Sequence, residues 1–403
     1  MITKVRLKNF RGIEEAQVNV GKVTVLTGAN NSGKSSVMYA LLTLRNIVSN
    51  PNQPLDSFFN FLFMNLGGFK ESVFLKDEDS RRMTLEVGCD YADVASATYG
   101  ITLGKSQSTM KVQEEKPTSI SLKLDVTFPY ALNLSAGTEV KCEGGPLKIT
   151  WNGITPTLGY EKKEGFDEEA AQKIGAALLG PVVDIKAVDF VALKRGFVKP
   201  IFSPVPLQPQ LITEDEIATY IANDRDLEAK VNFYLEKIVN KNFQARPTLG
   251  TANFYLQTTD RNTGFLCDLV NDGFGTNQLI FLLAKALRRD QRTICIEEPE
   301  IHLHPGAIIG LVETLVEIAK EYHRNFIIST HSEHFVLALL NKLAQKVIAP
   351  TDVRIYFLRK EKARTVLEEQ RVTEKGQIEG GLKAFYETEL AQLREFLRIQ
   401  ENP

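Results

Sequence analysis

Apolar and polar residues alternate in short stretches through the first part of the chain. Residues 2 to 27 contain such stretches around FRG and NVGKVTV, and residues 81 to 160 contain four more: RMTLEVGCDY, SATYGITLG, SISLKLDVTF and LKITWNG. Alternation with a period of two is typical of strands that bury one face. Residues 51 to 80 are irregular and aromatic. The first 160 residues are therefore predicted to be rich in β-structure.

The middle of the chain changes to helical spacing. The pattern predicts helices in EEAAQKIGAALLGPVV and in ATYIANDRDLEAKVNFYLEKIVNKN. Between them lies VKPIFSPVPLQPQ, whose four prolines favour an extended or irregular segment. We therefore expect a mostly helical region over residues 161–250.

Strands and helices then alternate toward the C-terminus. After strands from NFYLQTTD to GFLCDLVND, buried strands in TICIEEPE and NFIISTHS are separated by helical stretches such as GAIIGLVETLVEIAKEY. This alternation indicates a parallel sheet flanked by helices. VRIYFLRKEKARTVLEEQRV predicts a hairpin, and LREFLRIQ predicts a last amphipathic helix that docks on this fold or on a partner.

Composition narrows the class of protein. The 403 residues are 43% hydrophobic and 24% charged, with a net charge of −2, so any contact with DNA would need a local basic patch. There is no apolar run as long as a membrane span and no secretory signal. Four scattered cysteines without metal spacing indicate reduced thiols in a cytoplasmic protein.

A glycine-rich stretch, GANNSGKSS, follows the apolar run KVTVLTG and precedes a helical pattern. Gly28, Gly33, Lys34 and Ser35 have the spacing of a P-loop, in which backbone N–H groups and a helix N-terminus bind phosphates. Lys34 would reach the β- and γ-phosphates of a nucleotide, and Ser35 would bind Mg²⁺. The predicted phosphate-binding residues are Gly28, Asn30, Asn31, Ser32, Gly33, Lys34, Ser35 and Ser36.

Two carboxylates end the buried strand in TICIEEPE. Adjacent strand residues point in opposite directions, so we expect Glu297 on the Mg²⁺ side and Glu298 facing the attacking water. A solvated strand end is the alternative. His331 follows the strand in IISTHS and could hydrogen-bond the γ-phosphate or the water, although a structural histidine is the usual case.

The stretch NDGFGTNQ is a turn of small residues directly before a helix. A helix N-terminus is a second anion site, and one nucleotide does not need two of them from one chain. The turn is therefore expected to act on a nucleotide bound by a neighbouring molecule. Its candidate residues are Gly273, Gly275, Thr276 and Gln278.

These stretches, together with CIEEPEIHLHP, STHSEHF and LKNFRG, resemble the ABC-type ATPases, and more closely the RecF-like and overcoming-lysogenization-defect (OLD) ATPases. The resemblance implies an α/β P-loop ABC-type ATPase head with a mixed β lobe, a parallel core sheet and a central helical insertion. It divides the chain into an N-terminal lobe (1–160), the insertion (161–250) and a C-terminal lobe (251–403).

The resemblance also implies roles for particular residues. Gly28 to Ser36 would be Walker A, Glu297 and Glu298 Walker B and the catalytic glutamate, Asp272 to Gln278 the signature, and residues 302–305 a D-loop. His331 would be the switch histidine, and Arg11 would lie near the nucleotide. Two heads would enclose two ATP molecules, with assembly on ATP binding and release after hydrolysis.

The sequence departs from this pattern at several points. Glu297 stands where an aspartate is usual, the signature lacks the Ser-Gly-Gly form, and Gln53 is a poor candidate for the Q-loop glutamine. OLD nucleases carry a Toprim nuclease domain after the ATPase. Fewer than 70 residues follow His334, so we expect no intrinsic nuclease.

Two other patterns permit a different chemistry. Glu300, His302 and His304 alternate on one side of an extended segment and could bind zinc or manganese, but the D-loop explains the same residues. KALRRDQR, residues 285–292, could contact DNA phosphates, but cations at a helix C-terminus are the commoner reason for such a run.

The motifs therefore predict an ATPase switch that needs ATP and Mg²⁺, forms a homodimer or larger homo-oligomer and regulates a separate effector. The resemblance implies that the effector is a nuclease or toxin and that the context is defence against phage or foreign DNA. The alternatives are a RecF-like ATPase that binds DNA in repair, and a scaffold that holds ATP with negligible turnover. A transporter subunit is disfavoured because the signature differs and the middle region is too long.

Overall fold

A computed structural model describes residues 1–91, 95–116, 118–143, 145–161, 166–208 and 213–379, so the predicted helix in LREFLRIQ lies outside the described residues. The strands of the first half are β1 (Ile2–Phe10), β2 (Ile13–Asn19), β3 (Val23–Thr27), β4 (Asn60–Phe61), β5 (Met64–Asn65), β6 (Met83–Tyr91), β7 (Ala95–Leu103), β8 (Ser108–Lys116), β9 (Ser121–Val126), β10 (Ala136–Cys142), β11 (Gly145–Trp151) and β12 (Pro156–Gly159). The later strands are β13 (Val188–Val191), β14 (Lys241–Pro247), β15 (Phe254–Asp260), β16 (Leu266–Asp268), β17 (Thr293–Glu297), β18 (Asn325–Thr330), β19 (Val353–Glu361) and β20 (Arg364–Gln370). The α-helices are α1 (Lys34–Ser49), α2 (Gly68–Ser72), α3 (Glu168–Lys186), α4 (Glu214–Asn223), α5 (Arg225–Val239), α6 (Phe274–Ala286), α7 (Pro305–Glu321) and α8 (Glu333–Ala344).

The core sheet has six strands in the order β13-β17-β18-β3-β19-β20. Its first five strands are parallel, and β20 pairs antiparallel with β19 as the predicted hairpin. The parallel sheet and the hairpin are thus confirmed. The order brings β3 beside β18 and β18 beside β17, although these strands are far apart in the sequence.

A second, antiparallel sheet contains six strands in the order β2-β1-β6-β7-β8-β9 and forms the β lobe. Helix α1 is buried almost throughout and packs in the same apolar cluster as both sheets. The core sheet divides its side chains between its two faces. Cys295 belongs to the cluster around α1, whereas Ile294 and Ile296 pack with helices α5 to α8. These contacts confirm an α/β head with a mixed β lobe.

The region expected to be mostly helical differs from the expectation in two details. Its second helical stretch is two helices, because Asp224 ends α4 and its side chain caps α5 by accepting from the N–H of Leu227 at 3.0 Å. It also contributes β13, which joins the core sheet through parallel pairing with β17, and β14. Strand β13 has only four residues, Val188–Val191, which is too short to show a periodicity, so pairing decides its structure. The three-part division of the chain remains a prediction.

Two further findings concern the class of protein. None of the helices in the described residues is long and apolar enough to cross a membrane. All four cysteines are free thiols, as expected, and Cys89 and Cys295 are buried.

Candidate nucleotide-binding site

Three parallel strands end at one edge of the core sheet. Thr330 at the end of β18 pairs with Thr27 at the end of β3, and Glu297 at the end of β17 pairs with Ser329. The segments that follow these strands therefore meet, and they enclose a cleft of about 520 Å³. The residues lining this cleft are Arg11, Gly12, Asn30, Asn31, Ser32, Gly33, Lys34, Ser35, Ser36, Leu193, Glu297, Glu298, Ser329, His331 and Lys360.

The glycine-rich loop between β3 and α1 needs its glycines for two reasons. Gly28 and Gly33 have φ of 139° and 103°, a backbone conformation that other residues rarely adopt. A Cβ on Gly28 would lie 2.1 Å from the carbonyl oxygen of Leu358, and one on Gly33 would lie 2.7 Å from Oγ1 of Thr365. The hairpin of β19 and β20 therefore packs closely against the loop and leaves no room for a side chain at either glycine.

Helix α1 begins at Lys34 without a side-chain cap at its N-terminus. Lys34 Nζ donates hydrogen bonds to the carbonyl oxygens of Gly28 and Ala29 at 2.8 and 3.1 Å. Burial lowers the pKa of Lys34, whereas the charges of Glu298 and Glu300 favour its protonated form. An uncapped helix end and a partly buried ammonium group form a site that suits an anion.

Both carboxylate oxygens of Glu297 have a donor. The hydroxyl of Tyr39 donates to Oε1 at 2.8 Å, and the backbone N–H of Leu193 donates to Oε2 at 3.3 Å. Burial raises the pKa of Tyr39, and the charge of Glu297 raises it further, so the hydroxyl keeps its proton at neutral pH and donates it to Glu297. The guanidinium of Arg11 lies 5.3 Å from the centre of the Tyr39 ring. Arg11 and Glu297 line the cleft and are thus connected through the buried side chain of Tyr39.

Glu298 has different neighbours. Its backbone lies in the left-handed region with φ of 40°, and its N–H donates to the carbonyl oxygen of Ser329 at 2.8 Å. Its Oε1 lies 3.3 Å from Nδ1 of His331. The side chain of His331 is 56% exposed, so this pair faces the open cleft. The structure therefore brings together the two carboxylates, the histidine and the glycine-rich loop, as their sequence positions suggested.

The side chain of Arg195 binds the main chain at Glu297 and Glu298. Its guanidinium donates to the carbonyl oxygens of Glu297 and Glu298 at 2.7 and 2.8 Å, and to that of Ala192 at 3.1 Å. Burial lowers the pKa of Arg195 to about 10, so it stays charged at neutral pH. The nearby carboxylates, with Glu300 first, oppose that shift.

Glu300, His302 and His304 contact three different partners and do not converge on one site. Oε1 of Glu300 accepts from Oγ1 of Thr330 at 2.5 Å, and burial raises the pKa of Glu300. His302 packs on Phe274 with 5.6 Å between ring centres, and His304 caps α7 by accepting from the N–H of Gly306 at 3.2 Å. Among the described residues, no group of three or more His, Cys, Asp or Glu could hold a metal. The structure therefore does not support the zinc or manganese alternative.

The signature-like turn lies outside the cleft. Gly273 has φ of 66°, and a Cβ there would meet nothing within 4 Å. Phe274, the first residue of α6, is 72% exposed, while Gly275 packs against the carbonyl oxygen of His302. Gly273, Gly275, Thr276 and Gln278 do not line the cleft that contains Lys34. The turn and the residues around His302 therefore form a separate surface.

Gln53, the candidate Q-loop glutamine, and the basic run over residues 285–292 do not line this cleft. The loop that follows β13, beside Glu297, contains Leu193 and Arg195 instead. The cations of residues 285–292 pair with acidic side chains of the same chain: Lys285 and Arg288 with Asp189, Arg289 with Asp226, and Arg292 with Asp184. These ion pairs favour a structural role for that run.

Sequence reasoning missed two residues of this site. Tyr39 lies four residues after Ser35, which places both on one face of α1, so helical spacing could have indicated it. Arg195 has no comparable signal because β13 is too short to recognise, and only its pairing with β17 brings Arg195 to Glu297.

Known proteins resemble this chain in sequence and in fold. A family model described as an AAA ATPase domain matches residues 1–173 and 211–336. The Old nuclease of Escherichia phage P2 is 21% identical over 368 residues, and the Endonuclease GajA of Bacillus cereus (strain VD045) is 20% identical over 366 residues. Each alignment covers 84% of this chain and 57% of the relative, so the chain spans little more than half the length of these proteins.

Among solved structures, an Smc head bound to the C-winged helix domain of ScpA is similar with a TM-score of 0.51 and 11% identity, over 93% of this chain and 98% of that one. This likeness concerns the fold and confirms the ABC-type ATPase head that the motifs suggested. The matches to OLD-type relatives confirm the resemblance to the RecF-like and OLD group. The glycine-rich loop, the two strand-end carboxylates and the family match lead to one conclusion: the chain belongs to the AAA ATPase domain family.

Proposed function

We propose that the chain is an ATP-hydrolysing switch that assembles through ATP held between subunits and regulates a separate effector. The cleft carries this proposal, because it gathers a phosphate loop, two carboxylates and a histidine in one chain. The residues present also fit a nucleotide. Among the described residues, Oγ of Ser32 is buried in the loop without a hydrogen-bond partner, as expected of a group that a phosphate oxygen would satisfy.

Phosphate binding would fall to the loop and α1. Lys34 would exchange its bonds to Gly28 and Ala29 for the β- and γ-phosphates of ATP. Ser35 and Glu297 would hold Mg²⁺, which supplies positive charge against the phosphates when bound. Glu297 is longer than the usual aspartate, and the donors Tyr39 and Leu193 hold its carboxylate toward the cleft.

Water activation would fall to Glu298 and His331. The 3.3 Å contact between Glu298 Oε1 and His331 Nδ1 sets both groups on the same open side of the cleft. Glu298 would accept a proton from the attacking water or orient it, and His331 would hydrogen-bond the water or the γ-phosphate. Arg11, at the cleft wall, would add positive charge near the nucleotide.

The second half of the site would come from another copy of the chain. The turn from Asp272 to Gln278 presents a helix N-terminus that the cleft of its own chain does not use. A second copy would place this turn over the nucleotide, with residues 302–305 at the seam. A homodimer is the smallest such assembly.

The relatives support a role in defence against phage or foreign DNA. Their printed names are Old nuclease and Endonuclease GajA, and this chain matches 57% of the length of each. We propose that the described ATPase head controls a nuclease or toxin, which we place on a separate effector protein. DNA is a candidate trigger, and its binding would depend on salt concentration.

Light scattering with and without ATP and Mg²⁺ tests the proposal on the wild type and on Glu298→Gln. ATP should increase the mass of the wild type, and the variant should keep the larger species because it does not complete hydrolysis. An identical mass under every condition in both proteins would contradict assembly by ATP. Strong nuclease activity of the pure chain, removed by a substitution away from the cleft, would contradict the separate effector.

A further inference from the structure

Residues 192–197 form a short segment between β13 and the proline-rich stretch, and we call it the bridging segment. It lies beside the end of β17 because β13 pairs with β17 in the core sheet. Its Leu193 donates a backbone hydrogen bond to Glu297, and its Arg195 donates to the carbonyl oxygens of Glu297 and Glu298. One guanidinium group thus spans two successive peptide units, which a planar, fork-shaped donor can do.

The backbone at Glu298 needs such support. Its φ of 40° lies in the left-handed region, which residues other than glycine rarely adopt. The residue is held from both sides, since its N–H donates to Ser329 and its carbonyl oxygen accepts from Arg195. Glu298 thus leaves the extended conformation of β17, and its carboxylate lies beside the imidazole of His331. Without Arg195, the segment after β17 loses its bond on the carbonyl side.

The other end of the bridging segment is attached to α6. Asn277 is buried on that helix, and its side chain accepts from the N–H of Phe197 at 2.7 Å and donates to the carbonyl oxygen of Phe197 at 2.8 Å. Gly196 has φ of 117°, and a Cβ there would lie 2.6 Å from Oδ1 of Asn277. The segment is therefore fixed between the helix that begins at the signature-like turn and the residues that face the cleft.

We propose that Arg195 is a positioning residue that holds Glu298 in its left-handed conformation and is itself held from α6 through the pair of Phe197 and Asn277. The proposal rests on the proposed function, in which Glu298 acts on the attacking water. Arg195 touches main-chain carbonyl oxygens and does not line the cleft. Its loss should therefore slow turnover and leave ATP binding intact.

Steady-state kinetics on Arg195→Met and Arg195→Lys test this proposal, with Lys194→Met as the matched control because Lys194 is an exposed cation on the same segment. Arg195→Met should lower kcat about 100-fold, the effect of a misplaced catalytic group. KM and the equilibrium affinity for ATP should not change, which separates positioning from binding. Arg195→Lys should recover part of kcat, since an ammonium group can reach one carbonyl oxygen, and Lys194→Met should match the wild type.

Hydrogen exchange of the full chain gives a second readout that does not need turnover. The amides of Glu298, Ile301 and Leu303 donate to backbone oxygens, so their exchange reports the order of this segment. Arg195→Met should speed exchange there, while its unfolding temperature and the exchange of α8 stay close to those of the wild type. Lys194→Met should leave the exchange of these three amides unchanged.

If Arg195→Met has the same exchange and the same kcat as the wild type, the proposed role of Arg195 is overturned, and the proposed function is not. A wild type without ATPase activity would overturn the proposed function, and hydrogen exchange would then decide whether Arg195 holds Glu298. General destabilisation of Arg195→Met, with faster exchange throughout the core sheet, would also overturn the proposal unless Arg195→Lys keeps a stable fold and shows the local effect.

Discussion

The glycine-rich turns before α1 and α6 have opposite surroundings. The turn before α1 is enclosed, since a Cβ on Gly28 or Gly33 would clash with the β19–β20 hairpin. The turn before α6 is open, since a Cβ on Gly273 would meet nothing and Phe274 is 72% exposed. The carboxylates that share a cleft with the first turn, Glu297 and Glu298, belong to the same chain.

We propose that this one type of local structure serves two roles in the chain. A helix N-terminus with free N–H groups favours an anion wherever it occurs. The enclosed turn lies in one cleft with Lys34, Glu297 and Glu298, and we propose that it forms half of a reaction site. The open turn lies outside this cleft, so we propose that it acts on a second copy of the chain.

The largest expected effect lies in the enclosed site. Glu298→Gln keeps the shape of the side chain but cannot accept a proton, so turnover should fall about 10²- to 10⁴-fold while ATP still binds. Phosphate release and ATP affinity are the measurements. Glu374→Gln, an exposed carboxylate far along the chain, is the control and should behave as the wild type. Equal turnover in the wild type and Glu298→Gln would favour the scaffold alternative.

A substitution in the open turn should act through assembly. Phe274→Glu places a negative charge on an exposed position of the turn that we place over the nucleotide of the other copy. It should weaken ATP-driven assembly about 100-fold, because the new carboxylate and the phosphates are like charges, and like charges across an interface cost several kcal/mol. The affinity of the single chain for ATP should not change. Phe265→Glu, at another exposed phenylalanine, is the matched control.

Mixing two inactive variants sharpens the comparison further. Phe274→Glu retains an intact cleft, and Glu298→Gln retains an intact open turn, so a mixture should recover part of the phosphate release that each lacks. Recovery is expected only if the cleft and the turn of one site come from different copies. No recovery in mixed oligomers would show that each chain works with its own turn.

Tyr39→Phe removes one donor to Glu297 and should have a smaller effect. A hydrogen bond to a charged group contributes about 1.5–3 kcal/mol, and Leu193 still holds the other carboxylate oxygen. The Mg²⁺ concentration for half-maximal turnover should therefore rise about tenfold. Tyr356→Phe, a hydroxyl outside the cleft, serves as the control. An unchanged Mg²⁺ dependence would mean that Leu193 alone holds Glu297.

The smallest expected effect concerns Glu300 and pH. Burial raises the pKa of Glu300 above the ordinary glutamate value of about 4.3, so the folded protein binds its proton more tightly than the unfolded chain. Glu300 therefore lowers stability as pH rises from the unfolded pKa through the folded one. Glu300→Gln keeps an acceptor for Thr330 and should raise the unfolding temperature relative to the wild type at neutral pH, with the difference vanishing below pH of about 4. A difference that does not change with pH would show that charge is not the cause.

The sequence by itself determined the local parts of this protein. Short-range spacing was enough for the loop from Gly28 to Ser36 and for Glu297 and Glu298 at a strand end. Periodicity was enough for the alternation of strands and helices and for the hairpin of β19 and β20, because each of these signals depends on neighbours along the chain.

Only the tertiary structure decided the rest. Pairing of β13 with β17 placed Arg195 on Glu298, packing turned Glu300 inward to Thr330, and the β19–β20 hairpin closed around Gly28 and Gly33. These contacts join residues that lie 30 to 332 positions apart in the chain. Their geometry follows from the register of parallel strands and from burial, which are properties of the folded core that no local pattern of residues contains.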